Sequence, residues 1–191
     1  PADVLTALRL LPPTTHPMDA LRTAVSAWGA MHHIAWPPTA EQARELIAFA
    51  PSALAAFARL RQGLEPIPPQ PGLDLASAFL QQLHGTAPDP ATARALEAYL
   101  MACAEHGLNA STFAARVIVA TRSDLASTIV GAIGALKGPL HGGAPAEVLG
   151  QLDEIGSVDH AEQWARERLA KRELIMGFGH RVYRACLLYT S

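Results

Sequence analysis

The chain has 191 residues, 50% of them apolar and 17% charged, with a formal net charge of -2. This is the composition of a folded globular protein, and its basic residues form no dense patch of the kind a nucleic-acid backbone requires. Cys103 and Cys186 have no paired spacing, which excludes a disulfide framework and thiolate zinc ligation and sets a reducing, cytoplasmic compartment as the expectation.

Alanine and leucine dominate and β-branched runs are short, so the expected fold class is all-α. Residues 3–11 read as a helix stopped by Pro12 and Pro13. Pro17 suits a first helical turn, and a second helix follows through Ala30. Thr39 can cap a third through Phe49, and Pro51 restarts a fourth carrying Leu54, Phe57 and Leu60. Residues 62–72 hold Gly63, Pro66, Pro68, Pro69, Pro71 and Gly72, the clearest connection in the chain.

Helices are then expected over 73–83, 90–105 and 111–136. The last carries Ile118, Leu125, Ile129, Ile133 and Leu136 on one stripe and little charge opposite it, the pattern of a helix buried in a core or at a subunit contact. Its glycines would let another helix approach closely. Its apolar segment at 128–136 holds Gly131 and Gly134 and is too short to span a membrane. Residues 137–143 break the pattern with glycine turns. Pro145 then opens a helix with Val148, Leu152 and Ile155 as its stripe, and another helix covers 158–170. Residues 174–176 are too short to classify, and 177–179 form a loop.

Three histidines stand beside glycines in irregular segments: His106 before Gly107, His141 before Gly142 and His180 after Gly179. Backbone can approach a ligand closely at such places. Imidazole exchanges protons near neutral pH, and in its neutral form it donates a hydrogen bond to an oxygen gaining negative charge. A purely structural role for any one of them stays open. The gaps of 35 and 39 residues between them match no compact metal-ligand spacing, so no metal is expected. His32, His33, His16 and His84 read as packing, turn or capping residues. Neither a Gly-x-Ser-x-Gly elbow nor a nucleotide-binding glycine fingerprint is present. Ser111 and Ser123 read as capping or surface residues.

Four segments, taken together, carry more. They are Leu11-Pro12-Pro13-Thr14-Thr15-His16-Pro17-Met18-Asp19-Ala20-Leu21-Arg22-Thr23, His106-Gly107-Leu108-Asn109-Ala110-Ser111-Thr112-Phe113, Gly138-Pro139-Leu140-His141-Gly142-Gly143-Ala144 and Gly177-Phe178-Gly179-His180-Arg181-Val182-Tyr183. In this order and spacing they resemble the citrate synthase family, over roughly residues 1–184. The resemblance implies a multi-helical homodimer with a large helical domain, here 1–143. It also implies a truncated small domain that closes over coenzyme A, here 144–184. It implies condensation of acetyl-CoA with oxaloacetate to citrate and CoA, with acetyl-CoA as co-substrate and no permanent cofactor.

By the same resemblance His141 would hydrogen-bond the thioester oxygen as the enol or enolate forms. His180 would bind the oxaloacetate carbonyl and assist its protonation, and His106 would help hold oxaloacetate. Leu174, Ile175, Gly177 and Gly179 would lie along the adenine end of CoA, and Arg184 would face CoA. The apolar 111–136 helix would belong to the subunit contact.

The family's proton-abstracting aspartate and its oxaloacetate-binding arginines have no match here, and residues 185–191 depart from the family pattern as a non-native tail. The expectation is therefore an enzyme whose 191-residue portion is inactive alone, which oxaloacetate-dependent release of CoA by this chain would refute. Two other readings remain: a 2-methylcitrate synthase using propionyl-CoA, since one methylene separates the substrates by only about 1–3 kcal/mol, and a noncatalytic helical interaction protein.

Overall fold

A computed structural model describes residues 2–32, 34, 36–105, 107–139 and 141–178, with the backbone alone at 144–146. Among the described residues the regular structure is entirely helical. The chain divides into two compact units, Pro1–Ala135 and Leu136–Ser191.

The first unit opens with α1 (Ala2–Arg9), α2 (Pro17–His32) and α3 (Ala40–Leu60). His16 starts α2 as a cap: its Nδ1 accepts the Met18 N–H at 3.2 Å, and its carbonyl accepts those of Asp19 and Ala20. His32 ends the helix with its ring stacked on Trp28, 4.8 Å between centroids. Both histidines are thus structural, as their contexts suggest; His33 lies outside the described residues.

Thr39 caps α3 with the reciprocal Thr39–Gln42 pair of a capping box. The expected break at Pro51 does not occur. One helix runs from Ala40 to Leu60 with Pro51 inside it, because buried residues on both sides of the proline hold the same face. Leu46 precedes it, while Ala53, Ala56 and Phe57 follow. That burial outweighs the backbone hydrogen bond Pro51 cannot donate.

The 62–72 connection leads to α4 (Leu75–His84), capped by Asp74, and Gly85 ends that helix at φ +82°. Gln82 is buried, and both ends of its amide are used. Its Nε2 donates to the Ile67 carbonyl at 3.1 Å, and its Oε1 accepts from the Ser52 hydroxyl at 3.0 Å. One side chain thereby ties α3, α4 and the proline-rich connection together.

Asp89 caps α5 (Pro90–Cys103) and Asn109 caps α6 (Ala110–Ala120). Hydrogen bonds from the Thr92 hydroxyl and from the Ala91 and Thr92 N–H groups hold the Asp89 carboxyl below its ordinary pKa. The helix expected over 111–136 is in fact two, α6 and then α7 (Leu125–Leu136). Arg122 turns the chain at φ +64°, and the Asp124 carboxylate accepts the Ser127 N–H at 2.8 Å to start α7 afresh.

The core of the first unit is formed by Val4 and Leu8, by Ala20, Ala24, Val25 and Trp28, by the α3 residues and by Ala126 and Ile133. Small residues set the helix spacing. A Cβ on Gly29 would lie 2.3 Å from that of Ala126, so α2 and α7 touch where only glycine fits. Gly131 likewise receives Ile118 of α6, the close approach its sequence suggests. Burial within the core of this chain, the first of the two alternatives, holds for α7 only. That helix buries Ala126, Thr128 and Ile133, whereas α5 and α6 have no fully buried residue and leave Tyr99, Met101, Phe113 and Val117 exposed.

The second unit contains α8 (Ala144–Ile155) and α9 (Val158–Ala170). Glu154 locks the pair, accepting from the Trp164 indole at 3.1 Å and from Arg168, whose guanidinium lies over the Trp164 ring. These bonds, from Arg168 and then Trp164, hold the Glu154 carboxyl below its ordinary pKa. No helix among the described residues is long and apolar enough to cross a membrane.

Candidate active site

The second unit carries the described part of the site. As α7 ends, the backbone folds back at once: the Gly142 N–H donates to the Leu136 carbonyl and the His141 N–H to the Gly138 carbonyl, each at 2.9 Å. His141 is half-buried on this turn, three residues before α8 begins at Ala144. The turn requires glycine at one of its two adjacent positions. A Cβ on Gly142 would stand 2.4 Å from the Leu136 carbonyl oxygen and 2.8 Å from its Cδ1, whereas one on Gly143 would meet nothing nearer than 3.6 Å.

Gly142→Ala is therefore expected to destabilise the second unit by about 1–3 kcal/mol, since a backbone oxygen cannot swing aside. Gly143→Ala should cost under about 1 kcal/mol, because position 143 has ordinary helical dihedrals and open space. Urea unfolding of the two variants side by side distinguishes them, and equal midpoints would contradict this geometry.

The segment after α9 is shaped by main-chain bonds. Arg172 reverses the chain at φ +58°, and the Glu173 N–H returns to the Arg168 carbonyl at 2.9 Å. Residues 174–178 then form a turn with Gly177 at φ +89°, closed by the Phe178 N–H on the Ile175 carbonyl at 3.3 Å. This turn lies on α8. The place where a Gly177 Cβ would sit is 3.5 Å from Val148, and the Gln151 amide bonds both sides of Met176. The expected Val148, Leu152 and Ile155 stripe needs correction here. Val148 and Ile155 are half-buried, but the half-buried residue between them is Gln151, and Leu152 is exposed.

Of the site residues expected from sequence, His141, Leu174, Ile175 and Gly177 thus fall in one unit. α8 starts beside the first and carries the turn that holds the others. His106, Gly179, His180 and Arg184 lie outside the described residues. The surroundings of His106 are described: Gly107 takes φ +62°, and the Asn109 side chain caps α6 by accepting the Thr112 N–H at 2.9 Å. The Ser111 hydroxyl donates to the same Asn109 oxygen, which gives it a structural role.

Comparison with known proteins agrees along nearly the whole length. A family model described as citrate synthase, C-terminal domain, matches residues 1–186. The 2-methylcitrate synthase of Mycobacterium tuberculosis is 47% identical over 183 residues, which is 95% of this chain and 47% of that protein. Citrate synthase 2 of Bacillus subtilis is 50% identical over 173 residues, 88% of this chain and 46% of that one. Among solved structures, a ternary complex of Thermoplasma acidophilum citrate synthase with carboxymethyl coenzyme A and oxaloacetate superimposes with a TM-score of 0.81. It is 31% identical and covers 97% of this chain and 50% of its own. The citrate synthase of Thermotoga maritima gives a TM-score of 0.76 at 39% identity, over 96% of this chain and 48% of its own. The fold is the all-helical scaffold shared with these solved structures. The chain belongs to the citrate synthase family. It spans about half the length of the curated relatives it matches.

Proposed function

We propose that this chain supplies part of the active site of an enzyme that condenses an acyl-CoA with oxaloacetate, with acetyl-CoA as the acyl donor and citrate and CoA as products. The observation that carries this reading is the pairing of two features on α8. His141 stands just before the helix, and the 174–178 turn is fastened at Gln151, about 10 Å along the axis from its first residue. A ligand with an adenine at one end and a thioester at the far end of a long arm suits two contact points separated in this way.

In this reading a base removes a proton from the carbon beside the thioester, and the electron pair moves onto the thioester oxygen. His141 donates a hydrogen bond to that oxygen, where charge builds up in the transition state. The enol carbon attacks the oxaloacetate carbonyl carbon, and His180 assists as the carbonyl oxygen takes up a proton. His106 holds oxaloacetate. Water then cleaves the thioester, giving a carboxylate and the free CoA thiol. Leu174, Ile175, Gly177, Gly179 and Arg184 contact CoA. The base and the groups that grip the oxaloacetate carboxylates come from sequence outside this chain, in keeping with its match to about half of each relative.

A second acyl donor is favoured by a specific observation, the 47% identity to a 2-methylcitrate synthase. Comparing kcat/KM for acetyl-CoA and propionyl-CoA, each with oxaloacetate, in a polypeptide completed to the length of its relatives separates the two. We expect acetyl-CoA to be preferred by about 10-fold or more, the scale of one methylene in an apolar pocket. A preference for propionyl-CoA would reassign the enzyme to 2-methylcitrate synthesis.

The enzyme is further proposed to act as a homodimer joined through α5 and α6. Their exposed Tyr99, Met101, Phe113 and Val117 support this, being apolar side chains that this chain leaves uncovered.

A further inference from the structure

Gln151 occupies a place on α8 where the flanking pattern calls for an apolar side chain. Val148 and Ile155, on either side of it, are half-buried, and so is Gln151 itself. A primary amide withdrawn from water is costly unless both its ends are satisfied. Here both are, by a single residue of another segment. The Gln151 Oε1 accepts the Met176 N–H at 2.9 Å, and its Nε2 donates to the Met176 carbonyl at 3.4 Å. The side chain imitates a neighbouring peptide group and fixes the backbone on both sides of the Met176 Cα. The next residue, Gly177, is the one with the left-handed φ. The clamp therefore acts at the point where the turn would otherwise be freest.

What the clamp holds is unusual for a purely structural turn. Leu174 and Phe178, on either side of Met176, are each 82% exposed. A turn kept only for stability would tuck such side chains against the helix. This one is tied down through its backbone with Ile175 and Met176 half-buried, while Leu174 and Phe178 face outward, an arrangement that suits the presentation of a surface to a ligand.

We infer that Gln151 is a positioning residue: by bonding both polar groups of Met176 it pre-orders the 174–178 turn for coenzyme A. The inference rests on the proposed reading of that turn as a CoA contact. Ordering the turn before the ligand arrives removes an entropic cost from binding.

The test uses the polypeptide completed to the length of its relatives, CoA as the probe, and two readouts: calorimetric CoA affinity and hydrogen exchange of the Met176 amide without ligand. Gln151→Leu keeps the volume and helix propensity but makes neither bond. It should weaken CoA binding by about 10-fold and speed Met176 exchange. Gln151→Glu keeps the acceptor for the Met176 N–H and should retain its protection. Gln151→Met serves as the second bond-free variant if the leucine protein does not fold. Unchanged CoA affinity in the bond-free variant, with wild type binding normally, would overturn the role of Gln151 and leave the CoA reading standing. Wild-type protein that protects Met176 yet does not bind CoA would overturn the CoA reading, and this inference with it. Unchanged Met176 exchange in Gln151→Leu would overturn the clamp itself.

Discussion

Replacing His141 by alanine, in a polypeptide completed to the length of its relatives, should lower kcat by about 10²–10³-fold and leave the KM for oxaloacetate nearly unchanged. The magnitude is that of one hydrogen-bond donor aimed at an oxygen that becomes charged only in the transition state. Such a donor does little for ground-state binding, so the loss falls on kcat. The substitution should not disturb the fold. The turn is closed by main-chain bonds from His141 and Gly142 to Gly138 and Leu136, which the side chain does not make. Steady-state thiol release, with circular dichroism to confirm folding, measures the effect. A kcat within threefold of wild type would remove His141 from the chemistry.

The second large effect concerns assembly. Phe113 and Val117 lie one helical turn apart on α6 and are 60% and 53% exposed. Neither is needed for the internal packing of this chain, so Phe113→Asp with Val117→Asp should leave it folded. Two carboxylates placed in an apolar subunit contact would face desolvation with no partner, a cost of several kcal/mol each. Wild type should sediment at about twice the 20.2 kDa chain mass and the double variant at the chain mass. A dimeric double variant would exclude this face as the contact, and a wild type monomeric at micromolar concentration would argue against the dimer.

How far sequence reached depended on whether the deciding interaction was local. Helix starts were legible because Pro17, Thr39 and Pro145 act within a turn or two of their own position. The turn at His141 was legible because glycines mark irregular backbone. Pro51 misled because its local preference to end a helix was overruled by burial of Leu46 and Phe57 on the same face, a tertiary effect. The 111–136 helix misled in the opposite way. Its apolar stripe suggested continuity, while the Thr121-Arg122-Ser123-Asp124 run already held the polar signal of a stop followed by a new cap. Gln82 and Gln151 carried no signal at all. A glutamine in a helix reads as surface, and only the fold shows that a distant backbone segment satisfies its amide.

This chain is proposed to carry the acyl-CoA and histidine side of an oxaloacetate-condensing site. That role is tested most directly by following thiol release from acetyl-CoA by the completed polypeptide, with and without oxaloacetate. Release is expected only when oxaloacetate is present, in equal amount to the citrate formed. Release at the same rate without oxaloacetate would make the protein a thioesterase, and absence of release from both acetyl-CoA and propionyl-CoA would contradict the proposed activity outright.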